Sequence, residues 1–266
     1  VLVGKRNAIM LSAVFQSCLA LLPPPARIHG VQWLLAPKRT LRRTAGCFMP
    51  EGPEVAVHAE SLNAACRGQV LKSAEILSGR YAGNGQIPGR GAPPKDWGLF
   101  LGALPAVIDS VESKGKFMFM RFRTDPLPMT LWSTLGMTGA WSCTQTPHAR
   151  VAFVLHDTTT ASDWNLFYND PRNFGTITVS FAEADLQAKL TSLGPSWLAP
   201  DGLSCETFLD IAARQCARKR SAAVPVAKFL MDQSKTCGIG NCERASAALV
   251  PSAAPTASSL MLPTGI

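Results

Sequence analysis

Residues 48–54 read FMPEGPE and place two carboxylic acids close behind a proline. A proline at the amino terminus of a protein carries a secondary amine, which can attack an electrophilic carbon and form a cationic iminium. Carboxylates beside such an amine can supply and remove protons. Inside a chain the same nitrogen is a tertiary amide without a usable lone pair. Pro50 can therefore act as a nucleophile only in a form of the protein that begins at this residue.

The cysteines and histidines do not form a metal-binding pattern. Eight cysteines occur, none of them in a CxxC pair, and the four histidines are scattered along the chain. Structural zinc sites usually contain closely spaced pairs of ligands, so we predict no metal site. The sequence has no convincing secretory context, and we therefore expect reduced thiols rather than disulfides.

The positive charge is concentrated in two regions. The formal net charge is +8, yet residues 1–48 contain seven basic residues and no acidic ones, whereas residues 49–210 have an excess of acids. Residues 211–244 contain seven basic and two acidic residues. A basic zone near the C-terminal end suits contact with phosphate groups, although a solvated basic helix face is equally common.

Residues 1–48 have the composition of a leader rather than of a folded domain. They lack acids, and a mostly apolar run at 8–22 ends at three prolines. That run is too short to span a bilayer comfortably. It fits an organelle transit peptide or the apolar part of a signal peptide, and an untranslated or artefactual extension is the alternative. If residues 1–48 are a targeting leader, we predict that the protein is located in a plastid or mitochondrion. If they are not, we predict the nucleus.

The elements that must position the chemistry begin at Met49. Apolar residues at three- and four-residue spacing predict a helix from Gly52 to about Cys66. Seven strand-like runs follow, at 69–77, 106–111, 116–122, 129–135, 150–156, 164–168 and 176–181. From Ala182 the pattern becomes helical. We predict an α+β fold in which a leading helix and an N-terminal β-sandwich or barrel precede a helical lobe.

Six motifs occur in an order that resembles a known family. The chain reads MPEGPEV at 49–55, GKFMF at 115–119, LGMTG at 135–139, NDPRNFG at 169–175, LGP at 193–195 and LMDQSKTCGIGN at 230–241. Together they resemble the formamidopyrimidine-DNA glycosylase / endonuclease VIII family, especially its endonuclease VIII-like members, including a zinc-less branch. The resemblance implies a catalytic β-sandwich domain at 49–182, a partial helix–two-turn–helix domain at 183–266, and DNA in the cleft between them.

The resemblance also implies an activity, which is excision of oxidised bases followed by strand cleavage at the abasic site. Pro50 matches the family's nucleophile, and Glu51 matches the acid/base residue that protonates the opened sugar. Glu54 matches an acidic position near the site, although a carboxylate here can simply complement the helix dipole. Lys116 matches a catalytic lysine that contacts the lesion and its phosphate.

Further residues match the family's DNA contacts. Met137, Arg172 and Phe174 match the side chains that fill the void left by an extruded base. Asn241 and the glycine turn before it match a phosphate-binding turn. Lys228 is a candidate second phosphate ligand, one position nearer the following aspartate than the lysine of many bacterial members.

After Asn241 the sequence departs from the family pattern. It becomes rich in Ala, Ser and Pro, and no zinc or zinc-less finger fits, so we predict a truncated helical lobe without metal or other cofactor. Three functional hypotheses follow: a bifunctional DNA glycosylase/AP lyase of base excision repair, a noncatalytic damaged-DNA-binding module, and an inactive truncated fragment. The predicted partner is damaged double-stranded DNA, bound by a monomer without membrane association.

Overall fold

A computed structural model describes residues 50–83, 91–199, 202–217 and 224–240. These residues form two compact units. The sheet unit contains Pro50 and residues 54–191, and the helical unit contains residues 51–53 and the segment from Ser192 onward. No helix among the described residues is long and apolar enough to cross a membrane.

Helix α1 spans Gly52–Cys66, as the apolar spacing predicts. Its buried residues are Val55, Ala59, Leu62 and Cys66, which recur every three or four positions and therefore lie on one face. That face is part of the core of the sheet unit.

Eight antiparallel strands form the sheet, in the hydrogen-bonded order β5-β7-β6-β1-β2-β3-β4-β8. The strands are β1 Val70–Ile76, β2 Ala106–Lys114, β3 Phe117–Arg123, β4 Met129–Thr134, β5 Ala140–Ser142, β6 Ala149–Asp157, β7 Ser162–Asn169 and β8 Thr176–Ser180. All seven predicted strands are present. The sequence did not predict β5, because three residues are too few to show an alternating pattern.

The sheet divides into two facing layers between β1 and β2, which share only two paired positions. The indole nitrogen of Trp141 in β5 donates a 3.2 Å hydrogen bond to Oγ of Ser133 in β4. The hydroxyl of Tyr168 in β7 donates a 2.8 Å hydrogen bond to the carbonyl oxygen of Thr134, also in β4. Strands from opposite halves of the sheet therefore contact each other, in agreement with the predicted β-sandwich or barrel.

Two short elements between β1 and β2 were not predicted. A 3₁₀ turn spans Gly79–Tyr81, and helix α2 spans Trp97–Gly102. Trp97 and Phe100 of α2 are buried, and their rings are 5.1 Å apart. Six residues are too few to display a helical period, so the sequence does not predict α2. Burial of the two rings in the core stabilises this helix.

Helix α3 spans Glu183–Ser192 and follows the boundary predicted at residue 182. Through Thr191 it belongs to the sheet unit. Its first residue pairs with Arg121, whose Nη1 lies 2.8 Å from the Glu183 carboxylate. Near its end, Nζ of Lys114 donates a 2.8 Å hydrogen bond to the carbonyl oxygen of Leu190.

The helical unit contains helices α4 (Cys205–Cys216) and α5 (Val226–Met231), both within segments predicted to be helical. Ser204 caps α4, because its hydroxyl accepts a 3.1 Å hydrogen bond from the backbone N–H of Thr207. The unit has its own apolar core, formed by Trp197, Leu203, Phe208, Ile211, Ala212, Phe229, Leu230 and Ile239.

Candidate active site

The candidate nucleophile and two candidate acids lie at the head of α1, which is the N-terminal end of this helix and the two residues before it. Pro50 is half-buried, and Glu51, its neighbour in the chain, is only 3% exposed. Glu54 is half-buried in the first turn of α1. The positive end of a helix favours carboxylates at this position. The chain itself thus places a buried acid directly beside the proline.

A backbone contact joins the head of α1 to the glycine turn of the helical unit. The N–H group of Gly52 donates a 3.0 Å hydrogen bond to the carbonyl oxygen of Gly238. A Cβ atom at position 52 would collide with that carbonyl group and with Cα of Gly238. Because only glycine fits here, the contact holds Gly52 against the predicted phosphate-binding turn within the helical unit.

Gln233 supports this turn from within the same loop. Its Oε1 accepts a 3.0 Å hydrogen bond from the N–H of Gly238, and its Nε2 donates a 2.9 Å hydrogen bond to the carbonyl oxygen of Ile239. On the other side, Sγ of Cys237 donates to the carbonyl oxygen of Gly194 at 3.2 Å. The LGP and LMDQ motifs are distant in sequence, and in the structure both hold the glycine turn.

Lys116 lies in the two-residue turn of the β2–β3 hairpin. Lys114 and Phe117 are the last paired residues on either side of it. Gly115 has a φ of +58°, which suits the first central position of a tight hairpin turn. Lys116 is half-buried, and the hairpin fixes its backbone. Its contact with a lesion stays a prediction.

Met137, Arg172 and Phe174 come together on two adjacent loops. Nη1 of Arg172 donates to Sδ of Met137 at 3.4 Å, and Phe174 is 58% exposed. Gly136 has a φ of +59°, and a Cβ atom there would lie 2.8 Å from the carbonyl carbon of Phe174. This close approach requires glycine and holds the loops side by side. The structure thus brings the Met137 and Arg172 side chains into contact and places Phe174 beside the same loop, while the contact of all three with DNA stays a prediction.

Asp170 links these two loops and was missed by the sequence analysis. It is 1% exposed. Its Oδ1 accepts a 3.0 Å hydrogen bond from the Thr138 hydroxyl, and its Oδ2 accepts a 2.7 Å hydrogen bond from the N–H of Gly175. The Thr138 hydroxyl in turn accepts a 3.2 Å hydrogen bond from the N–H of Arg172. The available signal was an aspartate before proline in a strand connection, where such side chains often bind backbone N–H groups.

The two remaining predicted DNA contacts lie toward the C-terminal end. Lys228 is exposed on α5, in the helical unit, and its role as a phosphate ligand stays a prediction. Asn241 lies outside the described residues, as does the segment after it, to which the second helix of the predicted motif would belong.

Neither a metal cluster nor a disulfide is found in the part of the chain that the structure describes. Burial raises the pKa of the Cys66 thiol to about 12, so this thiol is protonated at neutral pH. Burial likewise raises the pKa of Tyr168. Its hydroxyl therefore stays a donor to the carbonyl oxygen of Thr134, the last residue of β4.

Comparison with known proteins supports the family resemblance. Residues 49–177 match the model of the formamidopyrimidine-DNA glycosylase N-terminal domain. The family model, the relatives and the solved structures all support the formamidopyrimidine-DNA glycosylase / endonuclease VIII family. A formamidopyrimidine-DNA glycosylase from Deinococcus radiodurans is 28% identical over 202 residues, which cover 73% of this chain and 61% of that protein.

Solved structures of this family have the same fold. The crystal structure of the MutM (Fpg) protein from Thermus thermophilus is 26% identical with a TM-score of 0.54, and the match covers 72% of this chain and 60% of that one. The Lactococcus lactis Fpg (MutM), in a complex with DNA containing N7-benzyl-Fapy-dG, gives a TM-score of 0.55 at 20% identity, over 72% and 64%. This chain therefore spans less than two thirds of the length of these family members. The predicted α+β fold and the family resemblance are confirmed.

Proposed function

We propose that this protein is a bifunctional DNA glycosylase/AP lyase of base excision repair, which removes oxidised bases from duplex DNA and cuts the strand. The observation that carries the proposal is the Pro50–Glu51 pair at the head of α1, within a domain of this family. The burial of Glu51 and the grouping of Met137 with Arg172 support it further.

The first chemical step is attack on the sugar of the damaged nucleotide. The lone pair of the Pro50 nitrogen forms a bond to C1′, the glycosidic bond breaks, and its electron pair leaves with the base, which takes up a proton. The nitrogen then loses its proton and the C1′–O4′ bond breaks. Glu51 donates the proton that O4′ needs, and a cationic iminium joins Pro50 to the open sugar.

The second step cuts the strand. The iminium withdraws electrons from C2′, so a C2′ proton is lost to a base and the C3′–O bond breaks. Water then hydrolyses the iminium and releases the Pro50 amine. Splitting the reaction around one covalent intermediate replaces one difficult step by easier ones. Glu51 is our candidate proton shuttle, with Lys116 as the contact to the lesion and its phosphate.

The chemistry needs an unacylated Pro50, so the Met49–Pro50 peptide bond must be cut or never made. The positive end of α1 begins two residues after Pro50. A positive dipole end next to an amine disfavours its protonated form and lowers its pKa. Helix α1 thus favours the neutral, nucleophilic amine. Glu54, in the first turn, offsets part of this effect or joins the proton transfers.

The proposed substrate is duplex DNA, from which the damaged base must be extruded. Met137, Arg172 and Phe174 are proposed to fill the gap, while the Gly238 turn binds a neighbouring phosphate. A thioether, a planar cation and an aromatic ring can each occupy part of the volume of a base. We propose that the protein acts as a monomer and without a cofactor.

A noncatalytic damaged-DNA-binding module is the second candidate. One observation favours it: the contact between Met137 and Arg172 suits binding to damaged DNA whether or not Pro50 is a free amine. Such a module would keep the proposed void-filling side chains and the glycine turn, and its binding to damaged duplex would weaken as salt is added.

The test compares proteins that begin at Val1 and at Pro50. Each is incubated with a duplex that contains one oxidised pyrimidine and with a duplex that contains one abasic site. We expect strand cleavage of both duplexes by the protein that begins at Pro50, and none by the other. Salt-sensitive binding without cleavage by either form would overturn the lyase and support the binding module. Neither binding nor cleavage would support the inactive fragment.

A further inference from the structure

We propose that Arg150 and Arg80 are positioning residues for base extrusion. They hold the loop between β7 and β8, residues 170–175, which carries Arg172 and Phe174. This inference rests on the proposed function, and neither arginine belongs to the motifs that identify the family.

Arg150, in β6, binds the start of the loop through one guanidinium group. Its Nε donates a 2.8 Å hydrogen bond to the carbonyl oxygen of Asp170, and its Nη2 donates one of 3.2 Å to the carbonyl oxygen of Pro171. Its Nη1 donates to Oγ of Ser78 at 2.9 Å. The donors of a guanidinium lie in one rigid plane, so the bonds to the two loop carbonyls fix the loop backbone in position and in direction, and the bond to Ser78 holds the guanidinium itself.

Arg80, in the 3₁₀ turn, binds the end of the same loop. Its backbone N–H donates a 3.1 Å hydrogen bond to Oδ1 of Asn173, and its Nη1 donates one of 3.0 Å to the carbonyl oxygen of Gly175. Asn173 has a φ of +58°, a conformation in which its side chain suits such local bonding. The contacts therefore lie on both sides of Arg172 and Phe174 and leave these two side chains exposed.

Hydrogen bonds from residues 78–81, the segment that contains Arg80, hold it to the sheet. The hydroxyl of Ser78 donates a 2.6 Å hydrogen bond to the carbonyl oxygen of Ala149. The hydroxyl of Tyr81 accepts a 2.6 Å hydrogen bond from the N–H of Ile177 and donates one of 3.1 Å to the carbonyl oxygen of the same residue. The loop is thus held by residues whose backbones the neighbouring strands fix.

Rigidity of this kind matters for the proposed reaction. Extruding a base costs free energy. Side chains that enter the gap can offset this cost only when the protein holds them in place. Misplacement of a catalytic geometry by about 1 Å can cost up to about a hundredfold in rate. Breakage at a ready-made abasic site needs no base to be extruded, so it depends less on this loop.

The test uses Arg150→Lys and Arg150→Met in the protein that begins at Pro50. Lysine keeps the charge but cannot reach three acceptors with one rigid group, whereas methionine keeps the apolar bulk without the charge. We expect both variants to excise an oxidised pyrimidine about tenfold to a hundredfold more slowly. Cleavage of the abasic duplex should change by less than about threefold. Arg123→Lys, at a 59% exposed arginine side chain on β3, is the control and should leave both rates unchanged.

Base extrusion is measured directly with 2-aminopurine placed beside the lesion, because its fluorescence rises when neighbouring bases unstack. We expect a slower rise with both Arg150 variants. A wild-type rise with Arg150→Lys and a slow one with Arg150→Met would show that charge alone matters and would overturn the proposal. Equal losses on both duplexes would also overturn it, since they indicate general damage to the fold.

The positioning role stays testable if a variant does not fold or the wild-type protein is inactive. If a variant at Arg150 does not fold, as judged by thermal melting, then Ser78→Ala and Arg80→Lys carry the test with the same expectations. If the wild-type protein cuts neither duplex, the proposed function fails by itself. The fluorescence rise then decides the positioning role, and an equal rise in wild type and Arg150→Lys would overturn it.

Discussion

The N–H group of Gly52 donates a hydrogen bond to the carbonyl oxygen of Gly238, with an N···O distance of 3.0 Å. One partner is the first residue of α1, two positions after the candidate nucleophile Pro50. The other belongs to the turn proposed to bind a phosphate of the DNA. The contact therefore joins the first residue of α1 to that turn within the helical unit.

Replacing Gly52 with alanine should damage this contact. The added Cβ would meet the backbone of Gly238, which cannot give way as a flexible side chain can. We expect a loss of about 1–3 kcal/mol in the free energy of unfolding, as for other overpacked sites. Urea denaturation measures it. The matched control is Gly98→Ala in α2, where the new methyl group enters open space and should stabilise the helix by about 0.5–1 kcal/mol. A Gly52→Ala protein as stable as this control would contradict the contact.

Asp170→Ala should loosen the two loops that carry the void-filling residues. The Thr138 hydroxyl and the Gly175 N–H would each lose an acceptor inside the protein. A buried donor without a partner costs about 1–3 kcal/mol, so we expect at least that loss in the free energy of unfolding. The control is Asp210→Ala, at an exposed aspartate of α4. Equal stability of the two variants would refute the role of Asp170.

Phe174→Ala should separate function from stability. Since the ring is 58% exposed, its truncation should change the free energy of unfolding by no more than about 0.5 kcal/mol. We expect slower excision of a paired oxidised base, with cleavage at a ready-made abasic site largely retained. Leu127→Ala, at a 61% exposed leucine of the same unit, is the control. A Phe174→Ala enzyme that excises as fast as the Leu127→Ala enzyme would show that this ring does not fill the gap.

Stability should also depend on pH through Asp157 at the end of β6. Hydrogen bonds hold its pKa at about 2, and the strongest comes from the N–H of Thr159 at 2.8 Å. The unfolded chain has a pKa of about 3.9 for this group. Because the folded pKa is the lower one, the carboxylate stabilises the fold above about pH 4, and this contribution disappears as the pH falls to about 2. In melting experiments, Asp157→Asn should therefore differ from wild type at pH 5 and converge with it near pH 2. A difference in melting temperature between Asp157→Asn and wild type that stays constant from pH 5 to pH 2 would contradict this assignment.

Local patterns were sufficient to predict most of the fold. The spacing of Val55, Ala59 and Leu62 predicted α1, and alternation predicted seven strands, because each signal lies within one element. The motif LMDQSKTCGIGN predicted a turn, and Gln233 indeed binds the N–H of Gly238. The strand β5 and the helix α2 are too short to show a period.

Long-range contacts could not be predicted from one sequence. Arg80 and Gly175 are far apart in the chain, and they meet only because the pairing of β7 with β6 and of β8 with β4 brings the loop to the 3₁₀ turn. Arg150 looked like an ordinary strand residue for the same reason. The contact between Gly52 and Gly238 likewise depends on how the chain returns to the head of α1, which no local pattern encodes.

The most direct measurement is borohydride trapping on a duplex with an oxidised pyrimidine, followed by mass mapping of the cross-linked peptide. Reduction of the iminium makes the bond between protein and sugar permanent. We predict a covalent adduct on the Pro50 nitrogen in the protein that begins at Pro50, and none in the protein that begins at Val1. An adduct on Lys116, an equal adduct in both forms, or no adduct from the Pro50 form would contradict it.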